Sequence, residues 1–310
     1  MDEFRDENGR LILNKNQRDA LYSIGIETVE ALAMKPIREI IALEGFKETS
    51  AIKAWNYAIK YAFPKMFVKG DEIWERRKNV QKLTTGSKNL DQLLGGGIET
   101  QSITEVAGAY GVGKTQLAHQ LCVNVQKPSE QGGLDGNALY FDTENAFRPE
   151  RIRALGGDLN RIVWARAYTS SHQVFLLNHV EPIIEKENIR LIVVDSLMAH
   201  FRSEYVGRES LAERQQTLNQ YLKELQLLAE RNNLAVYVTN QVLSQPDLFG
   251  KTAVPIGGNI LAHASTTRLL LRKKSNSPIR IIRLIESPFL AEGEAIFKIT
   301  ENGIEDVKEE

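Results

Sequence analysis

Residues 106–119 read VAGAYGVGKTQLAH. Within them lies Gly108-Ala109-Tyr110-Gly111-Val112-Gly113-Lys114-Thr115, a complete G-x-x-x-x-G-K-T. An apolar, strand-like ITEVA precedes the glycines, and a helix-like KTQLAHQLCVNV follows them. A loop in that setting can turn backbone N–H groups inward at a helix N-terminus, where the helix dipole favours anions. Glycines at 108, 111 and 113 permit the curvature. Lys114 can then reach the β- and γ-phosphates of a nucleotide, and Thr115 can offer its hydroxyl to Mg²⁺. The stretch predicts a phosphate-binding loop (P-loop) inside an α/β fold.

Working outward, strand and helix patterns alternate from about Thr84, which predicts a mainly parallel sheet. Candidate strands are Ile103–Ala107, Ala138–Asp142, Ile162–Ala167, Leu191–Asp195 and Leu234–Thr239. Leu218, Leu222, Leu225 and Ala229 mark a long amphipathic helix between the last two. After residue 264 the texture is strands alone, TRLLLRKK, IRIIRLIE and EAIFKIT, read as a β meander that finishes the sheet. Upstream, residues 11–60 read as small helices. In SAIKAWNYAIK, Ile52, Trp55 and Ile59 fall at i, i+3 and i+7, one apolar helical face. Ile37, Ile40 and Ile41 form another before Gly45. The stretch FPKMFVKGDEIWERRKNVQK (63–82) has a proline, a glycine and a basic run, and reads as a linker. The expected organisation is a small helical domain at 1–62, a linker at 63–82 and an α/β core at 83–310.

Composition bounds the function classes. A chain of 310 residues, 42% hydrophobic and 25% charged, is an ordinary globular protein with a sizeable core. The net charge of -1 gives no overall basic footprint, so any nucleic-acid contact must be local. Cys122, the single cysteine, excludes an intrachain disulfide framework and reads as a buried helical thiol in a reducing compartment. The acidic start MDEFRDENGR does not read as a secretion signal, and no apolar run reaches the length that spans a bilayer. The histidines show no metal spacing.

Nucleotide hydrolysis needs more than a P-loop. It needs a group that activates water near the γ-phosphate. LIVVDS ends an apolar strand at Asp195, a candidate to hold Mg²⁺ through water, although many buried strands end in Asp. Glu144, in LYFDTEN, follows another strand at the sheet edge where α/β folds bind ligands. By spacing alone it is either the water-activating base or a solvated loop glutamate. Gln241 follows LAVYVTN at the same edge. It is either a sensor of the γ-phosphate that signals into the next loop, or a polar strand terminus.

Several stretches occur in order: TTGSKNLDQLLGGGIE, the P-loop, LIVVDSLMAHFRSEYVGRESLAERQQ, VTNQV and PIGGNILAHASTTRLLLRK. Together, over roughly Thr84 to Asp306, they resemble the RadA-type recombinases, archaeal and eukaryotic relatives of bacterial RecA. The resemblance implies a RecA-like ATPase that polymerises on single-stranded DNA, pairs it with duplex DNA and exchanges strands, with ATP and Mg²⁺ between adjacent protomers. It gives Lys114, Thr115 and Gln116 to the phosphates and metal, Glu144 to water activation, Asp195 to the metal and Gln241 to γ-phosphate sensing. Arg151 would lie against adenine and His263 near the γ-phosphate; the alternative for His263 is a core histidine after a helix.

The same resemblance implies two DNA-facing loops. One runs from about His200 to Leu211 with Arg202 and Arg208, and Arg214 just after. The other runs from about Val242 to Asn259, where Gly257 and Gly258 present bare backbone N–H groups to phosphates. It implies DNA contacts that are independent of base sequence, recombination mediators as further partners, and a cytoplasmic, nucleoid-associated or nuclear location.

For filament assembly it implies an F-x-x-A linker motif, here Phe67-Val68-Lys69-Gly70. Phe67 is the anchor for a pocket on the next protomer, walled in part by Ala165 and Ala167. Gly70 replaces the usual Ala and loses a methyl worth about 0.8 kcal/mol at most. Ala109 stands for a usual Glu, and Val112 for a frequent Ser. In the loop that caps a neighbour's ATP, Glu286 stands for Asp and Ala291 for Pro. The N-terminal module resembles the family's DNA-associated helical domain through LEGFKETSAIK, with LNKNQRDAL in place of a glycine-rich hairpin. The expected function is a DNA-dependent ATPase recombinase. A recombinase paralogue acting as mediator or regulator is the alternative. A hexameric helicase or signalling ATPase is opposed by the Phe67 linker and the PIGGN loop.

Overall fold

Continuous apolar runs such as LIVV at 191–194 suit parallel strands covered on both faces, and the structure uses them so. The computed structural model describes residues 12–205, 207, 209–247, 250–275 and 277–307. They form two compact units that divide after Arg77.

The first unit is helical: α1 (Lys15–Ser23), α2 (Val29–Met34), α3 (Ile37–Ile41), α4 (Glu48–Ala62) and α5 (Gly70–Arg77). Asn14 opens α1 with a reciprocal cap: its Oδ1 accepts from the Gln17 backbone N–H at 2.9 Å, and Gln17 Oε1 accepts from the Asn14 backbone N–H at 3.1 Å. Its core gathers Leu21, Ile26, Val29, Leu32 and Ile40. The buried stripe of α4 is Ala51, Ala54 and Ala58, whereas Ile52 is 41% exposed. The face expected from Ile52, Trp55 and Ile59 is therefore rotated. The alanines let α4 lie close to α2, and the larger side chains close the rim, Trp55 donating to the Lys35 carbonyl at 3.1 Å. Part of the stretch read as linker is also helical. Asp71 and Glu72 in the first turn of α5 and Arg76 and Arg77 in the last match the helix dipole.

The second unit begins with β1 (Lys82–Leu83), α6 (Lys88–Leu93), β2 (Ile98–Glu99), β3 (Ser102–Gly108) and α7 (Lys114–Asn124). It continues with β4 (Asn137–Asp142), α8 (Pro149–Ala154), β5 (Ile162–Arg166), α9 (Ser170–Asn178), α10 (Glu181–Lys186) and β6 (Ile189–Asp195). Then come α11 (Ala199–Glu204), α12 (Leu211–Asn232), β7 (Ala235–Asn240), β8 (Val242–Asp247), β9 (Gly250–Pro255) and α13 (Gly258–Ala264). The chain closes with β10 (Thr267–Lys273), β11 (Ile279–Glu286), β12 (Gly293–Thr300) and β13 (Gly303–Asp306).

Nine strands form one sheet in the order β13-β12-β11-β10-β3-β7-β6-β4-β5. From β10 to β5 all pairs are parallel; β10 to β13 is the antiparallel meander expected from the sequence. One face packs on α7 through Leu117, Leu121 and the buried Cys122. The other packs on α12 through Leu218, Leu222, Leu225 and Ala229, the residues that mark its amphipathic face. No helix among the described residues is long and apolar enough to cross a membrane.

Two segments read as loops carry regular structure. The first opens as α11, its Phe201 buried beside Tyr205 and Tyr221. The second is the antiparallel hairpin β8–β9 followed by α13.

Candidate nucleotide-binding site

Strand β3 delivers the chain to the P-loop, and α7 leaves it. Gly113 caps α7 at φ +113°, where a Cβ would stand 2.3 Å from Ile299 Cδ1. At Gly108 a Cβ would meet the Leu271 carbonyl at 2.6 Å. The backbone carbonyl closes Gly108 to a side chain, and at Gly113 the positive φ favours glycine. Tyr110, at the loop tip, is 97% exposed, while Val112 is buried. Arg280 reaches from β11 and donates to the Val112 carbonyl through Nε at 2.6 Å, pinning the loop to the meander.

Lys114 Nζ donates to the carbonyls of Gly108 and Ala109 at 2.8 and 2.9 Å. Burial pushes its pKa down, while the carboxylates of Asp195 and Glu144 work the other way. The ammonium is thus partly desolvated and directed into the loop. Thr115 Oγ1 donates to Asp195 Oδ2 at 2.8 Å. The same oxygen accepts from the Tyr140 hydroxyl at 2.7 Å, and Oδ1 accepts from Thr239 at 2.5 Å. Burial and Asp195 push the Tyr140 phenol well up, so it stays a donor.

A hydroxyl beside a carboxylate is a hard oxygen pair that fits Mg²⁺. This ion usually takes one or two protein oxygens and fills its sphere with phosphate and water. No group of three or more His, Cys, Asp or Glu that could hold a metal ion lies among the described residues.

Glu144 follows β4 and turns toward the same cleft. Its Oε1 accepts from Ser196 Oγ at 2.9 Å and from Gln241 Nε2 at 3.2 Å. Gln241 Oε1 in turn accepts from Arg202 Nη1 at 3.3 Å. Lys114, Thr115, Glu144, Asp195 and Gln241 therefore line one cleft of about 450 Å³, with Tyr110, Gly111, Gly113 and Gln116 at its wall. Arg151 lines an adjoining cleft with Gly111, Gly113 and Arg280. It donates to Gln116 Oε1 at 2.8 Å and to the carbonyls of Thr300 and Glu301.

Other expected residues lie elsewhere in the chain. His263 is exposed on α13 in a groove with α12, so it is not a core histidine and does not line the P-loop cleft. Glu286 ends β11 and pairs with Arg268 at 2.9 Å; Ala291 is exposed in the following loop. Arg214 lies in the first turn of α12. Arg208 falls outside the described residues. Gly257 and Gly258 have φ of +106° and +60°, so the backbone conformation alone favours glycine there. Ala165 keeps accessible surface on β5, but Ala167 has none and its N–H donates to the Asp142 carbonyl at 3.0 Å. Phe67 is 91% exposed, and Gly70 starts α5.

Sequence reasoning missed Tyr140, Ser196, Thr239 and Arg280. Ser196 and Thr239 each stand one or two residues from a residue it did choose. Tyr140 and Arg280 carry no local signal, since only sheet order brings them to the site.

A P-loop at the end of a central parallel strand, a carboxylate on the next strand but one, and a glutamine at the end of the strand between them form one cleft. Residues 76–307 match the Rad51 family model. On a match that covers most of its length, the chain belongs to the Rad51 family.

Proposed function

We propose that this protein is a DNA-dependent ATPase that assembles on single-stranded DNA and exchanges it into a homologous duplex, with ATP held between adjacent copies. The family acts in recombination and repair through ATP-driven work on DNA. The observation that carries the finer reading is Gln241. Its amide joins Glu144, at the P-loop cleft, to Arg202 on α11, and its backbone starts the β8–β9 hairpin. One side chain thus touches both the hydrolytic carboxylate and the segments proposed to face DNA.

Lys114 supplies positive charge to the phosphates, and the N–H groups at the start of α7 add their share. Bound Mg²⁺, held by Thr115 and by Asp195 through water, would neutralise charge on the β- and γ-phosphates. Glu144 takes a proton as a water oxygen attacks the γ-phosphorus. The bridging P–O bond breaks, and ADP leaves with that oxygen. Gln241 senses the γ-phosphate. Arg151 lies beside the base, and Arg202, Arg208, Arg214 and the backbone at Gly257 and Gly258 contact DNA phosphates, which makes binding salt-dependent and indifferent to sequence.

Assembly is supported by two exposed features. Phe67 stands out from the first unit. In the second, β5 is the last strand of the sheet, with Trp164 47% exposed beside Ala165. An edge strand with apolar neighbours suits strand addition by another copy. In such an assembly His263, Glu286 and Ala291 would act on the neighbour's nucleotide.

Purified protein tested for strand exchange, with Lys114→Ala beside it, checks the proposal. ATP-dependent exchange by the wild type and its loss in the variant are expected. ATP and DNA binding without exchange would instead identify a paralogue that mediates or regulates.

A further inference from the structure

Glu105 lies on β3, three residues before the first P-loop glycine, and has no accessible surface. A carboxylate buried so deeply is costly unless its oxygens are bonded and its charge is paired. Both conditions hold. Oε1 accepts from Asn240 Nδ2 at 2.8 Å, and Oε2 accepts from Arg268 Nε at 2.8 Å. Because β3 runs between β7 and β10, one side chain reaches both neighbours. Register places Arg268 beside Glu105, and Asn240 one pleat beyond Val238, which also faces Glu105. Glu105 shares its sheet face with Ile103, on the α12 side and away from α7. None of these side chains lines the nucleotide cleft.

Both N–H donors of the Asn240 amide are engaged. Nδ2 also donates to the Ile256 carbonyl at 2.6 Å, and Oδ1 accepts from the Gln241 N–H at 2.8 Å. The Ile256 N–H donates to the Gln241 carbonyl at 2.9 Å. The two ends of the β8–β9 hairpin are closed on each other through Asn240, and Glu105 holds Asn240.

We infer that Glu105 is a positioning residue which, through Asn240, locks Gln241 and the base of the β8–β9 hairpin to the strand that carries the P-loop. The inference rests on reading that cleft as the ATP site and the hairpin as a DNA-facing segment. Asn240 holds the Gln241 backbone N–H and the Ile256 carbonyl together, so the backbone that carries the Gln241 side chain and the hairpin base keep one fixed relation to each other. Glutamine cannot replace Glu105. Its single oxygen goes to the charged Arg268, which leaves its NH₂ facing the NH₂ of Asn240.

The test uses the full chain as wild type, Glu105→Gln and Asn240→Ala. The second variant leaves the Glu105–Arg268 pair intact, so it decides the matter alone if the first does not fold. Hydrogen exchange over the segment from Gln241 to Ile256 is expected to quicken about tenfold in the variants. Affinity for a fluorescent ATP analogue should stay near the wild-type value. The gain in affinity for a labelled oligo(dT) on adding a non-hydrolysable ATP analogue should fall about tenfold. Unchanged exchange in a folded variant, or a loss of nucleotide affinity equal to the loss of coupling, overturns the inference. If the wild type itself shows no ATP-linked gain in DNA affinity, the DNA reading falls, and the exchange comparison still judges the clamp.

Discussion

His119 sits on α7 one turn after Thr115, buried against Tyr140 and Phe147. Its Nε2 accepts from the Arg148 N–H at 3.0 Å, which requires that nitrogen to be unprotonated. Burial is the main cause that pushes its pKa below the ordinary 6.5. The sign follows by linkage. The unfolded chain binds a proton near its ordinary value while the folded chain resists, so the stability from neutral His119 is complete above 6.5. It is lost as pH falls toward the depressed folded value. His119→Gln removes the titration, so its urea midpoint should fall less than that of the wild type between neutral and mildly acidic pH. Parallel losses in the two proteins would take His119 out of the acid response. Arg268 is the opposite case. Burial works against its charge, but hydrogen bonds to Glu286 and Glu105 hold its pKa above the ordinary value.

At the scale of elements, α4 shows how packing chooses a face. An apolar stripe of Ile52, Trp55 and Ile59 and a small stripe of Ala51, Ala54 and Ala58 coexist on one helix. The alanines take the interior, where α4 packs against α2. Ala54→Leu would force extra methyl groups into that contact and should cost the first unit about 1–3 kcal/mol. Chemical unfolding followed at Trp55 measures it; an unchanged midpoint would mean that the contact has room to spare. The same logic explains α5. Its charges satisfy both ends of a short helix, and it leaves Ile73 and Trp74 exposed beyond Phe67.

For the whole molecule, the sheet ends in two unlike ways. At one end the meander finishes on the short β13, whose Asp306 caps α6 by accepting from Ser87 Oγ at 2.5 Å and from the Lys88 N–H at 3.0 Å. At the other, β5 has no further strand partner among the described residues. An open, partly apolar edge is a hazard unless something covers it, and a second copy anchored by Phe67 is the occupant proposed above. Phe67→Glu places a charge where an aromatic must be desolvated. Light scattering after size exclusion is expected to show smaller species than the wild type forms. An identical mass distribution would dismiss Phe67 as an assembly anchor.

The P-loop, its flanking strand and helix, the alternation of the core and the closing meander were legible in the amino-acid order. Glycine curvature, a lysine one residue on, and runs of one periodicity are properties of neighbours along the chain. So were Glu144, Asp195 and Gln241 as candidates, because each ends or follows a recognisable strand. Their union in one cleft needed the strand order β3-β7-β6-β4, which no local pattern states. Tertiary structure alone decided that Tyr140 and Thr239 hold Asp195, that Arg280 pins Val112, and that Glu105 joins Asn240 to Arg268. Those partners lie tens to well over a hundred positions apart in the chain. A hydrogen bond is felt across 3 Å of space, whatever the length of chain between its ends.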